Sequence, residues 1–141
     1  MDERTLIREA FAAREYAYAP YSGFFVGAAL LGKSGNIYRG CNVENGSYSA
    51  TNCAERTAFF QAVAQGERDF AAIAIVGGAQ GEPVGFCPPC GVCRQVMAEF
   101  CEADFLILLA ESEENWKRYT LKELLPESFS LGKGEEKHEM L

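Results

Sequence analysis

Apolar residues recur at helical spacing through residues 2–18, at Leu6, Ile7, Ala10, Phe11 and Tyr18, with one gap at Arg14, and Pro20 closes the run. This pattern predicts an amphipathic helix with one face on a core. After the turn at Tyr21-Ser22-Gly23, residues 24–31 and 37–43 read as two strands of a hairpin joined by a turn at 32–36. Residues 44–52 are polar and rich in turn formers, which predicts a loop. Loops fixed on a rigid scaffold are where binding groups gather. Good helix formers fill residues 54–64, closed by Gly66, so a second helix starts directly after Cys53. Residues 70–77 form a continuous apolar run, the pattern of a strand covered on both faces. A loop over 78–89, a helix from Cys90 or Gly91 to about Cys101, and a buried strand over 104–110 follow. A short strand at 115–120 and a short helix at 121–125, stopped by Pro126, complete the pattern.

A strand hairpin followed by helix, strand, helix and strand predicts an α/β protein, a three-layer α/β/α sandwich around a mixed central sheet of about five strands. Neither a repeat nor a linker interrupts the pattern, so residues 1–131 are read as one domain and the charged residues 132–141, which include His138, as a mobile, solvated tail. Composition narrows the function. With 48% hydrophobic and 23% charged residues in 141, the chain is globular, and a net charge of -7 argues against general affinity for nucleic acid backbones or anionic membranes. A small, locally recognised substrate fits better. The start of the chain lacks the pattern of a signal peptide, and no apolar run approaches the length needed to span a bilayer, which predicts a cytoplasmic protein. Six cysteines in such a chain are metal ligands or buried apolar side chains rather than a disulfide framework.

Two cysteine motifs fall at helix starts: Cys53-Ala54-Glu55 and Cys90-Gly91-Val92-Cys93. Cys90 and Cys93 lie three apart and face one way on a first helical turn, and Cys53 adds a third thiolate from the neighbouring helix. Three thiolates leave a fourth position for water, the mark of a catalytic zinc, whereas four would close the site. Three thiolates also make the centre anionic, which opposes water activation. Two helix N-termini offset that charge, as would a cation from Arg56 or Arg94, of which Arg56 is preferred as a donor to ligand sulfur. Glu55, two residues after a ligand, can reach metal-activated water without ligating and so carry protons. Cys87, in Cys87-Pro88-Pro89-Cys90, is the one residue that could close the site, although the two prolines hinder its wrapping back around the same ion. Cys41, at a strand end, and Cys101, at a helix end, read as structural.

These motifs sit within a longer series: Tyr21-Ser22-Gly23-Phe24, Val26-Gly27-Ala28-Ala29-Leu30, Gly40-Cys41-Asn42-Val43-Glu44-Asn45, Cys53-Ala54-Glu55-Arg56-Thr57-Ala58, Pro89-Cys90-Gly91-Val92-Cys93-Arg94-Gln95-Val96 and Glu123-Leu124-Leu125-Pro126. Over nearly its whole length the chain resembles the small, homotetrameric cytidine deaminases. The resemblance implies one Zn²⁺ per chain on Cys53, Cys90 and Cys93, with Glu55 moving protons. It also implies that Asn42 and Glu44 bind the ribose, that Phe24 packs on the pyrimidine, and that the Ala54 backbone and Glu55 read the edge of the base. In that family each site borrows groups from neighbouring subunits, and Tyr48 and Phe129 occupy the matching positions, which implies a tetramer. The implied reaction is hydrolysis of cytidine or deoxycytidine to uridine or deoxyuridine and ammonia, in pyrimidine salvage. Two departures stand out, Cys87 and Gly46, the latter where many relatives carry alanine. The competing readings are a deaminase of a modified or antibiotic cytosine nucleoside and a non-catalytic scaffold with a closed four-cysteine zinc.

Overall fold

A computed structural model describes residues 2–132. Helix α1 (Glu3–Arg14) precedes strands β1 (Phe24–Gly32) and β2 (Ile37–Cys41), then helix α2 (Ala54–Ala64), strand β3 (Phe70–Ala79), helix α3 (Gly91–Phe100), strands β4 (Leu106–Ala110) and β5 (Trp116–Thr120), and helix α4 (Leu121–Leu124). The sheet order is β2-β1-β3-β4-β5; only β3 and β4 are parallel and the other neighbours are antiparallel, so the sheet is mixed and five-stranded. The charged tail and His138 lie outside the described residues, apart from Gly132. No helix among the described residues is long and apolar enough to cross a membrane.

Strand alternation sends side chains to two cores. Ala28, Leu30, Ile73, Ile75, Ile107 and Leu109 meet Ala54, Ala58, Phe59 and Met97 of α2 and α3. Ala29, Ala72, Ala74, Val76, Leu108 and Ala110 meet Leu6, Ile7 and Ala10 of α1. The result is the three-layer α/β/α sandwich, and both cysteine-bearing helices pack on one face of it.

Close approach of the helices depends on glycine. A Cβ at Gly27 would stand 2.1 Å from the Ala10 carbonyl oxygen, and one at Gly40 would stand 2.3 Å from the Ala54 oxygen and 2.5 Å from the Ala58 nitrogen. Because α2 carries Glu55 at its first turn, the absence of a side chain at Gly40 sets the depth of the site. Gly40→Ala is expected to force α2 off the sheet and to destabilise the protein by about 2–3 kcal/mol, read as a lower urea midpoint.

The structure moves several boundaries. Helix α1 stops at Arg14 instead of running to Tyr18, because the Tyr18 N–H donates to the Asn42 carbonyl and the Tyr18 carbonyl accepts from the Glu44 N–H, a strand-like pairing that another helical turn would forfeit. Arg14 itself, the gap in the apolar stripe, donates to the carbonyls of Phe25 and Gly78, each at 2.8 Å, tying α1 to the ends of two strands. Strand β2 ends at Cys41 rather than 43, and Val43 pairs with Asn52 across the loop. Strand β3 runs past Gly77 to Ala79, since β1 continues to pair with it opposite Phe24, Phe25 and Val26. The loop over 44–52 contains one 3-10 turn, Tyr48–Ala50.

Candidate active site

The two cysteine motifs arrive at the site because each is a helix start. Cys53 has the extended backbone of an N-cap at α2, and Cys90 is the N-cap of α3; neither side chain caps its own helix, so both thiols remain available. Thr57 secures the entry to α2, its N–H and hydroxyl both donating to the Cys53 carbonyl while its hydroxyl accepts from Asn52 Nδ2. The unpaired N–H groups and dipoles of both helix starts favour anionic sulfur.

The Sγ atoms of Cys53, Cys90 and Cys93 lie within 4.8 Å of one another, and Cys53 and Cys90 are 3.8 Å apart. Zinc–sulfur bonds of about 2.3 Å at tetrahedral angles require sulfurs about 3.8 Å apart, so the group fits a zinc ion. Arg56, in the first turn of α2, donates Nη2 to Cys53 Sγ at 3.1 Å, and its buried Nε has no hydrogen-bond partner among the described residues. Within the coupled pair Cys53 and Cys93, Cys53 is the thiol held as thiolate, by a hydrogen bond from Cys93 and then by Arg56. Arg94 faces elsewhere: its Nε donates to the Pro89 carbonyl at 2.8 Å and its Nη1 to the Leu124 carbonyl at 2.6 Å.

Glu55 is only 5% exposed. Burial pushes its carboxyl up to about 7, with the Cys53 charge adding to the effect. A carboxyl with that pKa can both hold and release a proton near neutrality. Ala54 beside it is fully buried and opens α2, so its N–H is among those the helix leaves unpaired.

Cys87 is absent from the three-thiol group. Its sulfur packs over Gly77 on β3, where an added Cβ would come within 2.8 Å of Cys87 Sγ and 3.2 Å of the Phe24 ring. Burial raises the Cys87 thiol to about 11, with the Glu55 and Cys53 charges contributing, so it stays protonated at neutral pH, and its place over Gly77 keeps it out of the three-thiol group. A Cys87→Ser variant is therefore expected to retain one zinc per chain by metal analysis; loss of the metal would place Cys87 in the coordination shell.

The remaining candidates are distributed around this centre. Phe24, 42% exposed, begins β1 beside Cys87 and Gly77. Asn42 is buried, accepting from the Val26 N–H at 2.9 Å and donating to the Phe24 carbonyl at 2.8 Å, so much of its amide fixes the backbone around Phe24. One amide hydrogen and one lone pair of Asn42 remain beyond those bonds. The Glu44 carboxylate accepts from the N–H groups of Tyr21 and Ser22 and from the Ser22 hydroxyl, and the Ser22 bond above all keeps it below the usual carboxylate range. It lines an open hollow of about 300 Å³ with Tyr21, Ser22, Asn45, Tyr48 and Thr51. Tyr48 is 80% exposed there, and Phe129, on the segment after α4, is 58% exposed. The positioning roles of Arg14, Gly40 and Arg94 are absent from the expectations drawn from sequence. The spacing of Arg94, one after a ligand, was its only signal.

Three thiols and a buried, non-ligating glutamate at paired helix starts form the donor set of the zinc-dependent hydrolytic deaminases. Residues 1–109 match the model of the cytidine and deoxycytidylate deaminase zinc-binding region. The chain is 54% identical over 130 residues to a cytidine deaminase of Halalkalibacterium halodurans, covering 92% of this chain and 96% of that one. It is 53% identical to one from Sporosarcina psychrophila, covering 92% and 93%. The crystal structure of cytidine deaminase from Burkholderia pseudomallei superposes with a TM-score of 0.84 at 48% identity, covering 92% of this chain and all of that one. The chain belongs to the cytidine deaminase family.

Proposed function

We propose that the chain hydrolyses cytidine and deoxycytidine to uridine and deoxyuridine with release of ammonia. The observation that carries this reading is Glu55, 5% exposed and beside three thiols whose spacing fits zinc. Zinc bound there supplies a Lewis acid that activates water for attack on C4 of the base. Glu55 takes one proton of that water and delivers it to N3, then takes the second proton from the hydroxyl now on C4 and passes it to the departing amine, so both water protons are accounted for as uridine and ammonia form. A single residue serves both transfers because its pKa lies near neutrality. Arg56 offsets the negative charge of the thiolates through its bond to Cys53.

Phe24 offers an aromatic face for the pyrimidine, the Ala54 N–H a donor for the edge of the base, and Glu44 with the free capacity of Asn42 the partners for ribose hydroxyls. The site is completed by neighbouring copies in a homotetramer, with Tyr48 and Phe129 reaching into adjacent centres. Both side chains are exposed in the single chain, at 80% and 58%, and so are available to a neighbouring copy. The protein acts in the cytoplasm, in pyrimidine salvage.

The test is ammonia release from a panel of cytidine, deoxycytidine, free cytosine, cytidine monophosphate and base-modified cytosine nucleosides, with zinc content and sedimentation measured on the same preparation. Turnover of the two unmodified nucleosides by a tetramer is expected. Turnover confined to modified nucleosides would replace this reading with that of a specialised deaminase.

A further inference from the structure

The two arginines that follow the cysteine motifs do different work. Arg56 bonds a ligand sulfur, whereas Arg94 bonds only backbone carbonyls. Side chains on a helix lean toward its N-terminus, so Arg94 on the first turn of α3 reaches back past Cys90 to the Pro89 carbonyl. Pro89 stands one residue before the first ligand of this helix and Arg94 one residue after the second. Their bond closes a ring of chain, residues 89–94, that contains both Cys90 and Cys93.

The other arm of the guanidinium leaves this ring for Leu124, whose carbonyl is one of those that the end of the short α4 leaves unpaired. The next residue repeats the connection: Gln95 Nε2 donates to the Phe129 carbonyl at 3.2 Å. Leu124 and Leu125 pack against the same core as Val96 and Ala98 of α3. Consecutive side chains therefore hold both ends of residues 124–129 to the turn that carries two metal ligands.

We propose that Arg94 and Gln95 are positioning residues that form a clasp, registering residues 124–129 on the ligand-bearing turn of α3 so that metal occupancy and the placement of Phe129 are linked. Linkage is reciprocal: zinc that fixes the Cys90–Cys93 turn also fixes the clasped segment, and loosening the segment weakens the hold on zinc. The planar fork of arginine suits two carbonyls at once, while the compact ammonium of lysine can serve one. The consequence for catalysis, a displaced Phe129 and a higher KM, rests on the intersubunit reading of Phe129 given above.

Hydrogen exchange on the intact protein tests the clasp, comparing zinc-loaded and chelator-stripped wild type with Arg94→Gln and Arg94→Lys. In wild type, stripping zinc is expected to raise exchange about tenfold over residues 121–125, where the N–H groups of Leu121, Lys122, Glu123 and Leu125 are bonded and the clasp holds the Leu124 carbonyl. That size is set by one charge-assisted hydrogen bond, and residues 73–76 of β3 stay protected. Zinc-loaded Arg94→Gln should show the raised exchange already and release zinc to a chelator about tenfold faster, with Arg94→Lys in between. Unchanged exchange over 121–125 on stripping the wild type, or wild-type zinc release from Arg94→Gln, would overturn the proposal. If Arg94→Gln does not fold, the wild-type comparison and Arg94→Lys decide. Exchange and zinc release that move together while KM stays put would uphold the clasp and remove Phe129 from the neighbouring site.

Discussion

Replacing Glu55 with glutamine is expected to lower kcat for cytidine by a factor on the order of 10³–10⁴, with zinc content unchanged and the fold intact. The size follows from the two proton transfers that pass through one carboxyl and from the lack, among the described residues, of a second carboxylate or imidazole placed to substitute. Arg56 is a permanent cation, and Cys87 is held protonated by burial. Glutamine keeps the shape and burial of the side chain, and burial disfavours the carboxylate charge that glutamine removes, so little stability should be lost. Steady-state kinetics with metal analysis of the same sample is the check. A variant with wild-type kcat would remove Glu55 from the proton path.

Loss of a ligand is expected to have a wider effect. Cys93 is 1% exposed and sits where α2 and α3 meet, so Cys93→Ala should abolish zinc binding, reduce turnover to background and destabilise the protein by about 4 kcal/mol or more. Two causes add: the metal no longer cross-links two helix starts, and removal of the buried Cys93 thiol leaves a cavity. Thermal unfolding with and without added zinc separates them. Wild type should be stabilised by zinc, and the variant should not respond.

Much of the fold was legible because periodicity reports burial directly. The unbroken apolar run of β3 and the helix formers after Cys53 predicted elements close to those found. Where the reading failed, a distant partner decided. Tyr18 left the helix because Asn42 and Glu44 take its backbone groups, and the glycines at the end of β3 stayed in the strand because β1 continues opposite them. Neither partner is near in sequence, so no local pattern could announce it.

The centre of the site was legible for a different reason. Cys53 with Glu55 and Cys90 with Cys93 each lie within one turn of a helix start, where spacing alone fixes direction. The surroundings were less so. Asn42 was read as a sugar ligand, yet its amide also fixes the backbone at Phe24 and Val26, a duty that becomes visible only when β1 and the end of β2 are side by side. Cys87 shares a C-x-x-C spacing with Cys90, but Pro88 and Pro89 argued against its joining the same ion, and its thiol packs over Gly77 on the Phe24 side, outside the three-thiol group.

Hydrolytic deamination requires the fourth position of the metal centre to be open to water. X-ray absorption at the zinc edge of the purified, zinc-loaded protein reads this directly. Three sulfurs at about 2.3 Å and one oxygen at about 2.0 Å are expected. Four sulfurs would close the centre and contradict hydrolytic deamination at this site.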